Sequence, residues 1–114
     1  MTVHFAPAAA LMVALAAAAI PAAAADRPEP MVVTIKDHRF TPAEIHVPAG
    51  QPAIVRVVNL DPSAEEVESG PLNIEKVIPP GAHSVVRLPP LAAGRYRFYG
   101  EYHPDTAQGA VVAQ

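Results

Sequence analysis

The sequence predicts an all-β protein, a Greek-key β-sandwich, and three observations predict this class. Short runs of β-branched and aromatic residues recur after residue 26, bounded by turn signals. No stretch of a dozen residues in that region shows a convincing 3.6-residue helical period. Twelve of the fourteen prolines also lie there, nearly all between the runs, where a missing N–H disturbs a sheet least.

The β-type runs define seven expected strands. Segments such as VPAG at 47–50 and IPPG at 78–81 separate them and are typical of turns. Seven short strands at this spacing favour an antiparallel Greek-key arrangement of two sheets. In chain order the predicted strands are residues 31–36, 44–47, 53–59, 72–78, 83–88, 95–100 and 110–113.

Alternation within the strands assigns side chains to faces, because successive residues of a strand point to opposite sides. Tyr96 and Phe98 share one face with the glycine that follows the strand, and we expect that face to be the inner one. Ile45 is expected to face the core, so that His46 points to solvent. His83 has no acidic neighbour in sequence, and both histidines are predicted to be surface residues rather than ligands.

The first 25 residues differ from the remainder of the chain. They hold thirteen alanines and no Asp, Glu, Lys or Arg, and an apolar run extends from about residue 10 to residue 20. An apolar run of this length followed by small residues is typical of a secretory signal peptide, although the usual basic residues before the run are missing. We predict a signal peptide over 1–25, cleavage near Ala25, and a single domain over 26–114.

Composition excludes several classes of protein. The 114 residues carry a net charge of −3 and no basic cluster, so nucleic-acid binding is not expected. The absence of cysteine excludes a disulfide scaffold, although small exported domains often depend on one. The spacing motifs of an EF-hand loop, a zinc protease and a nucleophile elbow are also missing.

Two polar segments carry candidate metal ligands. The segment NLDPSAEEVES places Glu65, Glu66 and Glu68 within four residues, and GEYHPDTAQG follows the penultimate strand with Glu101 and His103. The two segments can meet at one end of a Greek-key sandwich. Carboxylates with an imidazole suit Fe, Mn, Cu(II) or Zn and disfavour Cu(I). A solvated acidic loop is the alternative interpretation of the first segment.

Most of the chain after the leader resembles a cupredoxin domain. FTPAEIHVPAGQPAIVRVVNLD is similar to the first half of such a domain, and IPPGAHSVVRLPPLAAGRYRFYG to the second half. The resemblance implies that the first histidine ligand of a cupredoxin falls on about Glu65 and the cysteine on Gly100. It places the second histidine on His103 and the axial methionine on about Gln108. The missing thiolate implies that this is not a blue electron-transfer site.

A narrower resemblance involves AEEVES, the Glu75–Lys76 pair and GRYRFYGEYHPDTAQG. These motifs are similar to cysteine-free cupredoxin-like proteins of bacterial periplasmic ferrous-iron uptake, and distantly to the N-terminal domain of EfeO-type iron proteins. The resemblance implies a periplasmic protein that binds iron and/or copper. Its implied partners are a periplasmic iron-binding protein and an inner-membrane iron permease. The implied role is iron uptake, with assistance to Fe(II) oxidation or, alternatively, metal transfer by a metallochaperone without redox turnover.

Strand parity divides the candidate ligands into two groups. If Val67 faces the core, Glu65 does so as well, whereas Glu66 and Glu68 lie on the opposite face. One site would then hold Glu65 and His103, and the other would hold the two outer glutamates with Glu101. A bulge at either strand end would merge them. The contributions of His38, Glu75 and Gln108 stay open at this stage.

Overall fold

The computed structural model describes residues 1–18 and 29–114, and its folded part is entirely β. The predicted fold class is confirmed, with nine strands instead of seven. The predicted strands 31–36, 44–47, 53–59 and 83–88 coincide with observed strands. The nine strands are β1 (Met31–Lys36), β2 (Arg39–Thr41), β3 (Glu44–Val47), β4 (Ala53–Asn59), β5 (Glu65–Ser69), β6 (Ile74–Ile78), β7 (His83–Leu88), β8 (Gly94–Tyr99) and β9 (Gln108–Ala113).

The strands form two sheets that pack face to face. One sheet has the order β2-β1-β4-β7, and the other has the order β3-β9-β8-β5-β6. The expected antiparallel arrangement is wrong for two pairs, because β1 runs parallel to β4 and β3 runs parallel to β9. The chain leaves the first sheet after β2, forms β3 in the second sheet, and returns as β4 beside β1. This crossover brings β4 beside β1 in the parallel direction.

The core lies between the sheets and confirms the predicted faces of β3 and β8. Phe98 is 5% exposed and contacts Phe40 in a T-shaped arrangement, with ring centroids 5.0 Å apart. Tyr96 packs against the same core, Ile45 is buried, and His46 is exposed as expected. This geometry of aromatic pairs adds to the stabilisation from apolar burial.

Two of the nine strands are not predicted by the sequence: β2, which follows the turn that contains His38, and β5, which carries three of the candidate ligands. The β2 strand has only three residues and pairs with β1 across a two-residue turn. The β5 strand contains three glutamates in five residues, so its sequence does not alternate between apolar and polar side chains. It is a strand because Val67 is buried in the core and because β6 and β8 pair with it on either side. The interpretation of this segment as a loop is therefore wrong.

The leader has no regular secondary structure over residues 1–18, which are exposed. The expected cleavage position near Ala25 lies outside the described residues. Within the described ranges, no helix is long and apolar enough to cross a membrane.

Candidate metal centres

The first group of candidate ligands, the inner cluster, consists of His38, Glu65 and His103 at one end of the sandwich. Each residue offers one ligand atom, and these atoms lie within 4.8 Å of one another. The Nδ1 atom of His38 lies 2.6 Å from Oε1 of Glu65, and Nδ1 of His103 lies 3.5 Å from Oε2 of the same carboxylate. The two imidazoles stack with centroids 3.5 Å apart and planes 16° apart. Two ring nitrogens therefore face one carboxylate.

The Glu65 carboxylate is the feature that needs a partner. Its side chain is completely buried, and no group in the described chain forms a hydrogen bond with its Oε2. The Nδ1 of His103 is also buried and without a hydrogen bond, since 3.5 Å is too long for a good one. A buried charge without compensation is costly, so either a proton or a cation belongs between these atoms. Both imidazoles are more than a third exposed, so the cluster lies near the surface although these two atoms are buried.

A tight turn between β1 and β2 places His38 at the cluster. Asp37 and His38 both have positive φ, 52° and 57°, which is the backbone of a two-residue type I′ hairpin turn. One carboxylate stabilises this unusual turn, because Asp61 accepts both backbone N–H groups, at 2.7 Å and 3.0 Å. The side chain of Asn59 accepts the backbone N–H of Asp61 at 2.9 Å and is itself fully buried.

Asp61 is ionised in this arrangement. Burial by itself raises the pKa of Asp61, but hydrogen bonds from the backbone of His38 and Asp37, the nearby Glu65 carboxyl and the charge of His38 lower it below its ordinary value. Asn59 and Asp61 end the segment that resembles the first half of a cupredoxin domain, but the sequence does not predict that they hold His38 in place. The sequence does not predict the turn at Asp37 and His38 either, because neither residue is the glycine that is typical of such a turn.

His103 is held by a short loop between β8 and β9. The backbone N–H of His103 donates to the carbonyl of Gly100, and the N–H of Ala107 donates to the carbonyl of His103. A Cβ at position 100 would lie 2.8 Å from Cβ of Ala107 and 3.0 Å from the carbonyl oxygen of Glu66. The position that the resemblance gives to the cysteine is therefore closed to any side chain. Gln108 is exposed and donates to the carbonyl of Pro104, so it does not join the cluster.

The second group, the outer cluster, consists of Glu66, Glu68 and Glu101 on the other face of β5. Their oxygens also lie within 4.8 Å of one another. Glu66 is only 3% exposed, and Oε2 of Glu68 is buried without a hydrogen-bond partner among the described residues. Burial, and then the like charges of Glu101 and Glu68, raise the pKa of Glu66 to about 7. Burial and the Glu101 carboxylate also raise the pKa of Glu68.

Two residues from neighbouring strands border the outer cluster. Tyr99 on β8 lies directly opposite Glu68, and the charge of that glutamate is the main cause that raises the pKa of the tyrosine phenol. Glu75 on β6 lies opposite Glu68 from the other side and adds to the negative field. The outer cluster is thus a concentration of negative charge that a cation would neutralise.

The structure therefore brings all five predicted ligands into two groups, with His38 added to the first. His46 lies away from both groups, where its Nε2 is 3.1 Å from the exposed Glu44 carboxylate. His83 is exposed at the start of β7. The prediction that these two histidines are surface residues is confirmed.

Comparison with known proteins agrees with the fold. The sequence model of the family described as cupredoxin-like domain matches residues 7–113. An uncharacterized protein of Rickettsia prowazekii (strain Madrid E) is 39% identical over 80 residues. These residues are 70% of this chain and 64% of the relative, so the chain spans under two thirds of the length of that protein.

Two solved structures illustrate the structural similarity. One is the metal-binding domain of the Cu(I)-exporting P-type ATPase CopA from Streptococcus pneumoniae D39, with Cu(I). It has a TM-score of 0.66 at 21% identity, and the match covers 75% of this chain and 84% of that chain. Amicyanin from Paracoccus versutus has a TM-score of 0.59 at 22% identity, covering 80% and 88%. Similarities at this level of identity concern the fold. Because the family match spans nearly the whole sequence, the chain belongs to the cupredoxin-like domain family.

Proposed function

We propose that this protein binds metal at the inner cluster and serves iron uptake by assisting the oxidation of Fe(II). The observation that carries the proposal is the buried Glu65 carboxylate, which lacks a partner for one oxygen and faces the Nδ1 atoms of His38 and His103. Such convergence of three donor atoms within 4.8 Å of one another is what a mononuclear metal site requires.

The donor set supports particular metals. Two imidazoles and one carboxylate suit Cu(II), Fe(II) and Zn, and the combination with open positions is the usual ligand set of non-haem Fe(II). Cu(I) prefers sulfur, and the chain has no cysteine. Copper is favoured further by the similarity of the fold to amicyanin and to a Cu(I)-carrying domain, and iron by the motif resemblance.

The two clusters would have different roles in the oxidation of Fe(II). His38, Glu65 and His103 would hold Cu(II), which would supply an acceptor for the one electron that each Fe(II) releases. With dioxygen as the terminal oxidant, four Fe(II) and four protons would reduce one O2 to two water molecules. The outer cluster offers three carboxylates to the iron substrate on the opposite face of the same strand. Glu65 and Glu66 are neighbours in β5, so one peptide unit connects the two sites. Carboxylates stabilise the trivalent product more than the divalent substrate, which favours oxidation.

The proposed location and partners come from the leader and the motif resemblance. A charge-free apolar leader over 1–25 supports export to the periplasm. There the protein would pass Fe(III) to a periplasmic iron-binding protein or an inner-membrane iron permease.

Titration of the chelator-treated protein with Cu(II), followed by calorimetry and electron paramagnetic resonance, tests the inner site. We expect one strong Cu(II) site with nitrogen hyperfine structure, which His103→Ala and Glu65→Gln weaken. His46→Ala and His83→Ala are matched controls, since both remove an exposed imidazole away from the cluster. Full affinity in both site variants would show that the metal binds elsewhere.

Fe(II) loss in air, measured with a chelator specific for Fe(II), tests turnover. We expect copper-loaded protein to consume several Fe(II) per protein, and the His103→Ala variant to do so more slowly. Binding without turnover would instead establish a copper or iron metallochaperone. Failure to bind either metal would indicate a structural module that has lost its site.

A further inference from the structure

The geometry points to Tyr99 as a fourth ligand of the outer cluster, which makes that cluster a site for a trivalent hard cation such as Fe(III). This inference rests on the proposed function, and it goes further by naming an additional ligand and the oxidation state that the site selects. A carboxylate cluster alone does not define a metal site, but burial and strand register distinguish this cluster from other acidic surfaces.

Burial shows that the outer cluster is not an ordinary solvated acidic surface. The Glu66 side chain is only 3% exposed, although it stands in a group of three carboxylates. Oε2 of Glu68 is likewise buried and unpartnered. Carboxylates that face water need no partner, whereas this oxygen of Glu68 has lost water without gaining a donor. A cation at this position would satisfy that oxygen and would also offset the negative charge beside the buried Glu66.

Strand register brings the phenol to the same cluster. Glu68 and Tyr99 are directly opposite on β5 and β8, so their side chains leave the same face of the sheet with Cβ atoms about 5 Å apart. Glu101 follows Tyr99 by two residues and completes the group from the same chain segment. Tyr99 is 38% exposed, which leaves its hydroxyl able to turn toward the carboxylates.

The other two tyrosines have different environments. The hydroxyl of Tyr96 donates to the carbonyl of Ala92 at 2.8 Å, and the side chain of Tyr96 packs against the core. Tyr102 is 49% exposed in the loop beyond β8 and has no strand partner in the register of the sheet. Only Tyr99 is fixed opposite a cluster glutamate, so the three tyrosines form a natural set of one candidate and two controls.

A phenol discriminates between oxidation states. A tyrosine has an ordinary pKa of about 10, so it gives up its proton to a metal only when the ion is a strong Lewis acid. A trivalent ion is strong enough near neutral pH, while a divalent ion leaves the phenol protonated. Together with three carboxylates, which hard oxygen-seeking cations prefer, the phenolate makes the site selective for Fe(III) over Fe(II).

The test uses the full chain with Fe(III) supplied as its citrate complex and, separately, with Ga(III), a trivalent ion that has no redox chemistry here. We expect Fe(III) to produce a visible phenolate-to-iron charge-transfer band, and Ga(III) to produce the ultraviolet difference spectrum of a deprotonated tyrosine. Tyr99→Phe should abolish both signals and weaken Fe(III) binding by about tenfold or more. Tyr96→Phe and Tyr102→Phe should retain both signals.

Several results would overturn the assignment. Fe(III) bound without colour by the wild-type protein, colour that persists in Tyr99→Phe, or no Fe(III) binding at all would each do so. Thermal unfolding of Tyr99→Phe at the wild-type temperature shows that the lost signal reflects ligation rather than folding. The Cu(II) titration of the inner cluster is independent of these spectra. Failure of the proposed function at His103 is therefore distinguishable from failure of this inference.

Discussion

The metal-free protein is expected to lose stability as the pH rises from about 4.5 to about 7, and Glu66 is the main cause. In the folded state burial and the neighbouring Glu101 and Glu68 raise the pKa of Glu66 from 4.5 to about 7. Between these two values the folded protein holds a proton that the unfolded chain has released. Stability therefore falls with rising pH in this window, and it is fully present below the unfolded pKa.

The magnitude follows from the size of the shift. One pKa unit corresponds to about 1.4 kcal/mol, so the change from 4.5 to about 7 sets an upper limit of roughly 3 kcal/mol. Glu66 is nearly buried, but its partner Glu101 is exposed and screened by solvent. We therefore expect a loss of about 1–3 kcal/mol, in a titration step that belongs to the whole outer cluster.

Urea unfolding in chelator-containing buffers from pH 4.5 to 7.5 measures this loss. Glu66→Gln keeps the shape of the side chain and removes the titration, so the variant should gain stability relative to the wild type as the pH rises. Comparison with the wild type cancels the contribution of the histidines. Glu44→Gln is the control, because a hydrogen bond from Arg95 lowers the pKa of exposed Glu44, so that its contribution changes only at the acid end of this window and with the opposite sign. A difference between wild type and Glu66→Gln that does not change with pH, or falls, would refute the argument.

Three further predictions concern the core, the turn and the metal. Phe98→Ala should lower the free energy of unfolding by about 3–5 kcal/mol in a denaturant titration, because Phe98 is buried against Phe40; a loss below about 0.5 kcal/mol would contradict its place in the core. Asp61→Ala should lower the free energy of unfolding by about 2–4 kcal/mol, because two backbone N–H groups lose a charged acceptor. The same variant should weaken Cu(II) binding because His38 loses its position, and unchanged Cu(II) affinity would disprove this positioning role. The Cu(II)-loaded protein should lack an intense thiolate charge-transfer band in its visible spectrum, and an intense blue colour would contradict the site. The affinity of the protein for Cu(II) should fall as the pH drops through the ordinary pKa values of His and Glu, about 6.5 and 4.

Asp61 makes a second contribution to the stability of the metal-free protein, and this contribution is lost in acid. The pKa of Asp61 is lowered in the folded state, so its contribution to stability is present above the ordinary value of 3.8 and is lost as the pH falls through the folded pKa. This loss lies below the window assigned to Glu66. Considered by themselves, these two groups give the metal-free protein its greatest stability between the two windows.

Local patterns determined the fold class and most of the strand bounds. Strands 31–36, 44–47, 53–59 and 83–88 were predicted with their observed ends, because β-branched residues and flanking Pro or Gly act through local backbone preference. The alternation that buries Phe98 and exposes His46 is likewise a property of a strand by itself. Parity along 65–68 also separated Glu65 from Glu66 before any tertiary contact was known.

Tertiary contacts determine the features that strand alternation and local backbone preference do not encode. The β5 strand exists because β6 and β8 pair with it, although its glutamates resemble a solvated loop. His38 joined the inner cluster because Asp61, 23 residues later in the chain, stabilises a turn with two positive φ angles. Tyr99 lies opposite Glu68 only through the register of β5 with β8. Each of these is a contact between residues distant in sequence, and their energies depend on strand register and burial, which arise only when the two sheets pack together.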